Sequence, residues 1–357
     1  TPRAIVFEPG GFRNLGAYAW GIAPVGPIFV VTNPRDATHE MRAFVEDQFA
    51  GHDVRAVHYG AVEGEPTAAE INRLAGIARR VRPTMTIGIG GGSAIDAAKA
   101  VAALATNPGD VEDYLEGHHR RRALESAPVP MVAVPTTAGT GAEMTRNAVI
   151  CCPRRHFKRS LRNDRMVPAM ALIDPDLTLD LPAEFTAAGG MDAVTQLIES
   201  CITRKRRPEV TALALAALRW PREALPLCAS APHDREARTA MSLAASVSGV
   251  CLANAGLAMA HGIAAALGAW HGMRHGLACG ILLPHTLRYN RHACAPELGA
   301  ALGAFLGERK GDEGTIDRGI MEIAALNRTL GLPPDLKHLQ LKPEEVETLA
   351  AASLGSS

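Results

Sequence analysis

Thr84-Met-Thr-Ile-Gly-Ile-Gly-Gly-Gly-Ser-Ala-Ile-Asp-Ala-Ala-Lys99 reads as strand, glycine turn and helix. Residues 85–89 are a short apolar run with β-branched members, closed by Pro83 ahead and by glycines behind, the pattern of a buried parallel strand. Gly90, Gly91 and Gly92 permit positive φ and put no Cβ between backbone and ligand. Ser93 and Asp96 are spaced as a capping box, which predicts a helix from Ser93 through the alanines to about Ala105. Free N–H groups at such a helix start, added to the macrodipole, attract anions. The stretch lacks the Gly-Lys-Ser/Thr of a Walker A loop, and Ser93 stands where the dinucleotide fingerprint needs its last glycine. The residues alone leave two readings open: a phosphate-bearing ligand, or a tight βα turn that holds none.

Outward from this stretch, residues 26–32 form a second apolar strand ending at Asn33-Pro34. Residues 37–50 show helical spacing, 54–59 strand character, and 67–81 a helix opened by Thr67 with Glu70 three residues on. A strand over 130–135 leads into Thr136-Thr-Ala-Gly-Thr-Gly-Ala-Glu143. Strands alternating with helices predict an α/β domain with a Rossmann-like parallel sheet. Beyond Pro182 the pattern changes to helical periods rich in Ala and Leu, with helices expected over 186–203, 208–219, 234–266, 276–290, 296–306 and 314–330. The domains are therefore drawn as 1–182, α/β, and 183–357, all helical.

Composition narrows the function classes. Lys+Arg and Asp+Glu are both 37, so the basic excess of a nucleic-acid binder is missing. No apolar run reaches the roughly 18 residues of a membrane span, and residues 1–20 lack the charged start and apolar core of a signal peptide. The seven cysteines are scattered, with no Cys-x-x-Cys, which suits reduced thiols in a cytoplasm. In the helical half, Asp192 and Gln196 share a helix face at i and i+4. His261 and His275 sit among small residues that let backbone and ligand come close, and neutral imidazole is a good ligand for zinc or iron. A histidine hydrogen-bonded in the core fits the same pattern.

Five motifs in order resemble the iron-containing (group III) alcohol dehydrogenases, with maleylacetate reductase, glycerol dehydrogenase and dehydroquinate synthase as relatives. They are Gly90-Gly-Gly-Ser-Ala-Ile-Asp-Ala-Ala-Lys99, Pro135-Thr-Thr-Ala-Gly-Thr-Gly-Ala-Glu143, Asp174-Pro-Asp-Leu-Thr178, Gly190-Met-Asp-Ala-Val-Thr195 and His275-Gly followed by Leu283-Pro-His285. The resemblance implies a dinucleotide-binding first domain and a metal- and substrate-binding second domain. Gly91, Gly92 and Ser93 would cradle the pyrophosphate, with Gly90 and Asp96 in the same cofactor group. Thr136, Thr137, Thr140, Thr145 and Lys158 would line the ribose and nicotinamide, and Asn33 would meet the adenosine ribose. NAD-preferring members carry an aspartate there, so Asn33 leaves NAD or NADP open.

Family members hold a divalent metal, Fe²⁺ or Zn²⁺, with one aspartate and three histidines. Asp192, His261 and His275 match three of these positions; the fourth is Gln196. A further family histidine is replaced by Ala265, which makes His271 the substitute proton carrier. The activity implied is NAD(P)-dependent hydride transfer between an alcohol and an aldehyde or ketone, by a homodimer that binds neither nucleic acid nor membrane. The rivals are a metal-independent maleylacetate-type reductase, a lyase of the dehydroquinate synthase kind, and a nucleotide-binding protein with a degenerate metal site.

Overall fold

The computed structural model describes residues 1–23, 26–51, 54, 56–152, 157–308 and 311–354. The chain divides into two compact units, 1–136 with 142–177, and 137–141 with 178–357. The glycine loop 137–141 belongs to the helical unit.

In the first unit the strands are β1 (Ala4–Phe7), β2 (Ile28–Thr32), β3 (Val57–Ala61), β4 (Met85–Gly90), β5 (Met131–Pro135), β6 (Asn147–Cys152), β7 (Phe157–Arg162) and β8 (Met170–Ile173). The helices are α1 (Leu15–Trp20), α2 (His39–Ala50), α3 (Ala68–Val81) and α4 (Gly92–Thr106). Six strands pair in parallel in the order β1-β8-β5-β4-β2-β3, while β6 and β7 form a separate antiparallel hairpin. Buried strands alternate their apolar residues between two helix-covered faces, as pleating requires. Ile28, Val30, Ile87 and Val132 face Leu15, Val45 and Phe49, whereas Phe29, Val31 and Ala133 face Ile71, Leu74 and Ile95.

The chain passes from β2 outward to β3, then returns to β4 on the other side of β2 and continues to β5. This reversal leaves a crevice at the carboxyl ends of β2 and β4, the place where open α/β sheets take ligands. The capping box read at Thr67 forms, with Glu70 N donating to Thr67 Oγ1 at 3.2 Å and Thr67 N to Glu70 Oε2 at 3.0 Å. The one read at Ser93 does not. Gly91 is the N-cap of α4 and no side chain caps it. Asp96 instead pairs with Lys99 at 2.8 Å and accepts from Val149 N at 2.9 Å, tying α4 to β6.

The helical unit contains α5 (Ala183–Ile202), α6 (Pro208–Ala217), α7 (Pro221–Ser230), α8 (Arg235–Ala255), α9 (Met259–His271), α10 (His275–Asn290), α11 (Ala295–Leu306), α12 (Glu313–Thr329) and α13 (Pro343–Ser353). Helices α7 and α13 were not expected from sequence, and the single helix expected over 234–266 is two. Gly256, at φ +73°, ends α8, and α9 leaves at 98° to it. Helix α5 is buried from Gly190 to Cys201 on every face, the signature of a central core helix. No single helix is long and apolar enough to cross a membrane among the described residues.

Candidate active site

Three helices of the second unit bring Asp192, His261, His275 and Cys279 together, with one ligand atom from each lying within 4.8 Å of all the others. Asp192 comes from the middle of α5, His261 from the first turn of α9, and His275 and Cys279 from successive turns of α10. The start of α10 presses on α5 because Gly276 has no side chain: a Cβ there would lie 2.4 Å from the Ala188 carbonyl oxygen. His261 Nε2 is 3.1 Å and His275 Nε2 3.9 Å from Asp192 Oδ1.

The break after α8 sets the direction of His261. A helix start leaves its first N–H groups unpaired, and here the buried carboxylate of Glu199 takes them. It accepts from Ala258 N at 3.0 Å and Ala260 N at 2.6 Å, and binds His261 Nδ1 at 2.7 Å. With Nδ1 held by Glu199, Nε2 is the nitrogen turned to the cluster, an arrangement typical of metal-binding histidines.

Electrostatics agree with a cation site. Burial favours neutral Asp192, yet His275, His261 and a hydrogen bond from Gln196 hold its carboxyl below the ordinary range. Burial likewise disfavours charged His261, but Cys279, Asp192 and Glu199 hold its pKa well above the usual value. One carboxylate, two imidazoles and a thiol therefore surround a point that positive charge stabilises, with Glu199 behind His261; burial pushes the Cys279 thiol up to about 12 in the absence of a cation. Hard oxygen, borderline nitrogen and soft sulfur donors together suit a borderline transition-metal ion.

A second constellation lies at the crevice of the sheet. Gly90, at φ +147°, ends β4; a Cβ on it would sit 2.8 Å from Asn33 Nδ2, which follows β2. Asp36 Oδ2 accepts from Asn33 Nδ2 and from Thr136 Oγ1, both at 2.8 Å. Side chains after β2 and β5 thus meet over the uncapped start of α4, where backbone N–H groups suit an anion.

Comparison with known proteins supplies the family. The model of the iron-containing alcohol dehydrogenases matches residues 2–175, and that of the family's C-terminal part matches 186–356. The chain belongs to the iron-containing alcohol dehydrogenase family. It is 32% identical to alcohol dehydrogenase 4 of Saccharomyces cerevisiae over 90% of this chain and 82% of that one. Against lactaldehyde reductase of Escherichia coli the identity is 34%, over 83% and 77% of the two chains. Sulfoacetaldehyde reductase from Bifidobacterium kashiwanohense, solved with NAD+, superposes with a TM-score of 0.87 at 28% identity over 99% and 91%. Membership makes the chain an oxidoreductase of the alcohol dehydrogenase type and agrees with the parallel sheet followed by a helical portion.

Of the residues the family pattern singles out, the structure groups Asp192, His261 and His275. Gln196 packs beside them with its amide nitrogen on Asp192 and its amide oxygen turned away. Its Nε2 donates to the Thr140 carbonyl at 3.2 Å, and its Oε1 accepts from Ser248 at 2.8 Å. The Thr140 oxygen can only accept, so the atom facing it must be the amide nitrogen. His271 is exposed at the last position of α9, about 15 Å along the helix axis from His261.

In the first unit, Asn33, Gly90, Gly91, Gly92, Ser93 and Thr136 lie at the crevice. The Asp96 carboxylate is held by Lys99 and Val149, and the Thr145 hydroxyl, at 2.9 Å, by Lys99. Lys158 on β7 pairs with Glu65 at 2.5 Å. Three residues escaped sequence reading: Glu199, Cys279 and Asp36. Helical spacing held the signal for two of them, since Asp192 and Glu199 are i and i+7, and His275 and Cys279 are i and i+4.

Proposed function

We propose that this chain is a metal-assisted, nicotinamide-dependent dehydrogenase that interconverts a small alcohol and its aldehyde or ketone. The observation that carries this is the convergence of Asp192, His261 and His275 from three helices on one buried point, with Glu199 orienting His261. Asp192, His261 and His275 would hold a divalent cation. When bound, that cation supplies a Lewis acid for an alcohol or carbonyl oxygen, and the nicotinamide supplies the hydride acceptor or donor. The uncapped α4 start with Gly90, Gly91, Gly92 and Ser93 would take the pyrophosphate, while Asn33 and Thr136 reach toward the ribose side.

Asp36 favours NAD within this reading. Asn33 is neutral where NAD-preferring relatives carry an aspartate, but Asp36, hydrogen-bonded to it, brings a carboxylate to the same crevice. A carboxylate accepts from a ribose hydroxyl and repels a 2′-phosphate. A homodimer in the cytoplasm belongs to the same proposal; the seven cysteines are all free thiols, which suits a reducing compartment.

The test joins metal content with turnover. Protein purified without chelator is assayed for metal, and NADH and NADPH oxidation are measured with an aldehyde panel before and after Zn²⁺ or Fe²⁺ is added. We expect near-stoichiometric metal, and a loss in kcat/KM of about 100-fold or more in His261→Ala, the scale of removing a Lewis acid worth several kcal/mol. Turnover unchanged by chelator and by His261→Ala would overturn the reading in favour of a metal-independent, maleylacetate-type reductase.

A further inference from the structure

A divalent cation between Asp192, His261 and His275 has three protein donors. The position at which the family pattern supplies a fourth is Gln196, whose amide nitrogen faces the Thr140 carbonyl and donates to Asp192, while its oxygen is taken by Ser248. Gln196 steadies Asp192 but offers no lone pair to the cluster. Cys279 does. It lies one turn after His275 on the same face of α10, is fully buried, and its Sγ is 3.7 Å from His275 Nε2.

These spacings match a tetrahedral set. Metal–nitrogen or metal–oxygen bonds of about 2.0–2.1 Å and a metal–sulfur bond of about 2.3 Å give tetrahedron edges of about 3.3 Å between N and O donors and about 3.6 Å between N and S donors. The structure has 3.1 and 3.9 Å for the two imidazole-to-Asp192 edges, and 3.7 Å for His275 to Cys279. The remaining edges lie within 4.8 Å, so shifts of about 1 Å bring all four donors to tetrahedral spacing on one ion.

We propose that the metal centre of this chain is Asp192, His261, His275 and Cys279, with the Cys279 thiolate as the fourth ligand in place of an imidazole. The proposal rests on the metal-assisted reading above and deepens it. On binding, the thiol gives its proton to solvent and forms one sulfur–metal bond, with no change of oxidation state. Replacing an imidazole by a thiolate shifts the site toward zinc and away from ferrous iron, because soft sulfur prefers the more thiophilic ion. Five-coordination or exchange of a protein ligand then admits the substrate oxygen, as zinc sites allow.

The experiment uses the full chain stripped of metal and titrated with Co²⁺ alone, with bound cobalt counted by elemental analysis. The wild-type protein and Cys294→Ala, whose thiol lies outside the cluster, are expected to bind one cobalt with a near-ultraviolet thiolate-to-cobalt charge-transfer band. Cys279→Ala and the near-isosteric Cys279→Ser are expected to lose that band and to bind Zn²⁺ at least about tenfold more weakly. Far-ultraviolet circular dichroism checks that each variant is folded; loss of the band in either folded Cys279 variant supports the ligand, and its absence from the wild type decides against it even if neither variant folds. One cobalt without a thiolate band in the wild type, or a band that survives in a folded Cys279 variant, overturns the thiolate ligand and leaves the three-ligand site standing. No bound cobalt or zinc in the wild type overturns both proposals.

Discussion

Glu199 shows how much of a site can rest on a residue that stands behind the candidate ligands. Its buried carboxylate accepts from Ala258 N, Ala260 N and the His261 ring at once, so it caps α9 and aims the imidazole in the same act. Glu199→Gln replaces one of those acceptors with an amide donor. We expect an unfolding free energy lower by about 1–3 kcal/mol, the usual result of leaving a buried donor unpaired, and zinc affinity weaker by about 10–100-fold. Urea unfolding and zinc titration check this; unchanged affinity would show that His261 needs no orienting partner. Asp36 makes a second prediction at this scale. Asp36→Ser should raise kcat/KM for NADPH relative to NADH by about tenfold, or about 1.4 kcal/mol, a fraction of the about 4 kcal/mol of a close charge pair at a protein surface. Steady-state kinetics with both cofactors measure it, and an unchanged ratio would remove Asp36 from cofactor selection. Residue type alone made Asp192, His261 and His275 legible, because few other side chains ligate metals. Their partners were not, since carboxylates and thiols are common and only contact gives them a role.

Among the elements, α4 and the break between α8 and α9 departed most from the local reading. Ser93 and Asp96 have capping-box spacing, but Asp96 is drawn to Lys99 and the β6 backbone. A buried ammonium needs a carboxylate more than a helix start needs a cap. The uncapped N–H groups are what the phosphate reading requires. Lys99→Met removes one partner of this pair and leaves Asp96 opposite an apolar chain. We expect a loss of about 3–5 kcal/mol in stability, as is usual when one member of a buried ion pair is deleted, read as a lower urea midpoint at constant m-value. A change below about 1 kcal/mol would mean that water already solvates Asp96. Periodicity across 234–266 shows no break, because Gly256 costs a helix only about 1 kcal/mol and is tolerated in many. What decides it is Glu199, which rewards a fresh helix start at Ala258 with several hydrogen bonds.

At the scale of the whole molecule, the two units have separate cores, and the four proposed metal donors all come from the helical one. Zinc at 100 times its dissociation constant should stabilise that unit by about 2.7 kcal/mol. Hydrogen exchange after chelation should therefore quicken in α5, α9 and α10 and leave β2 and β4 as they were. Equal loss of protection in β2 and β4 would show that the metal supports the entire chain instead. The sequence by itself determined the parallel sheet, its glycine turn, the helical second half and the family, because these rest on local periods and on residue types repeated in order. Only the tertiary structure decided that Gln196 turns its oxygen away and that Cys279 and Glu199 flank His261. It also decided that Asp36 meets Thr136 and that His271 lies apart. Those facts depend on which helices meet and at what rotation, and close packing fixes both only when the whole chain is in place.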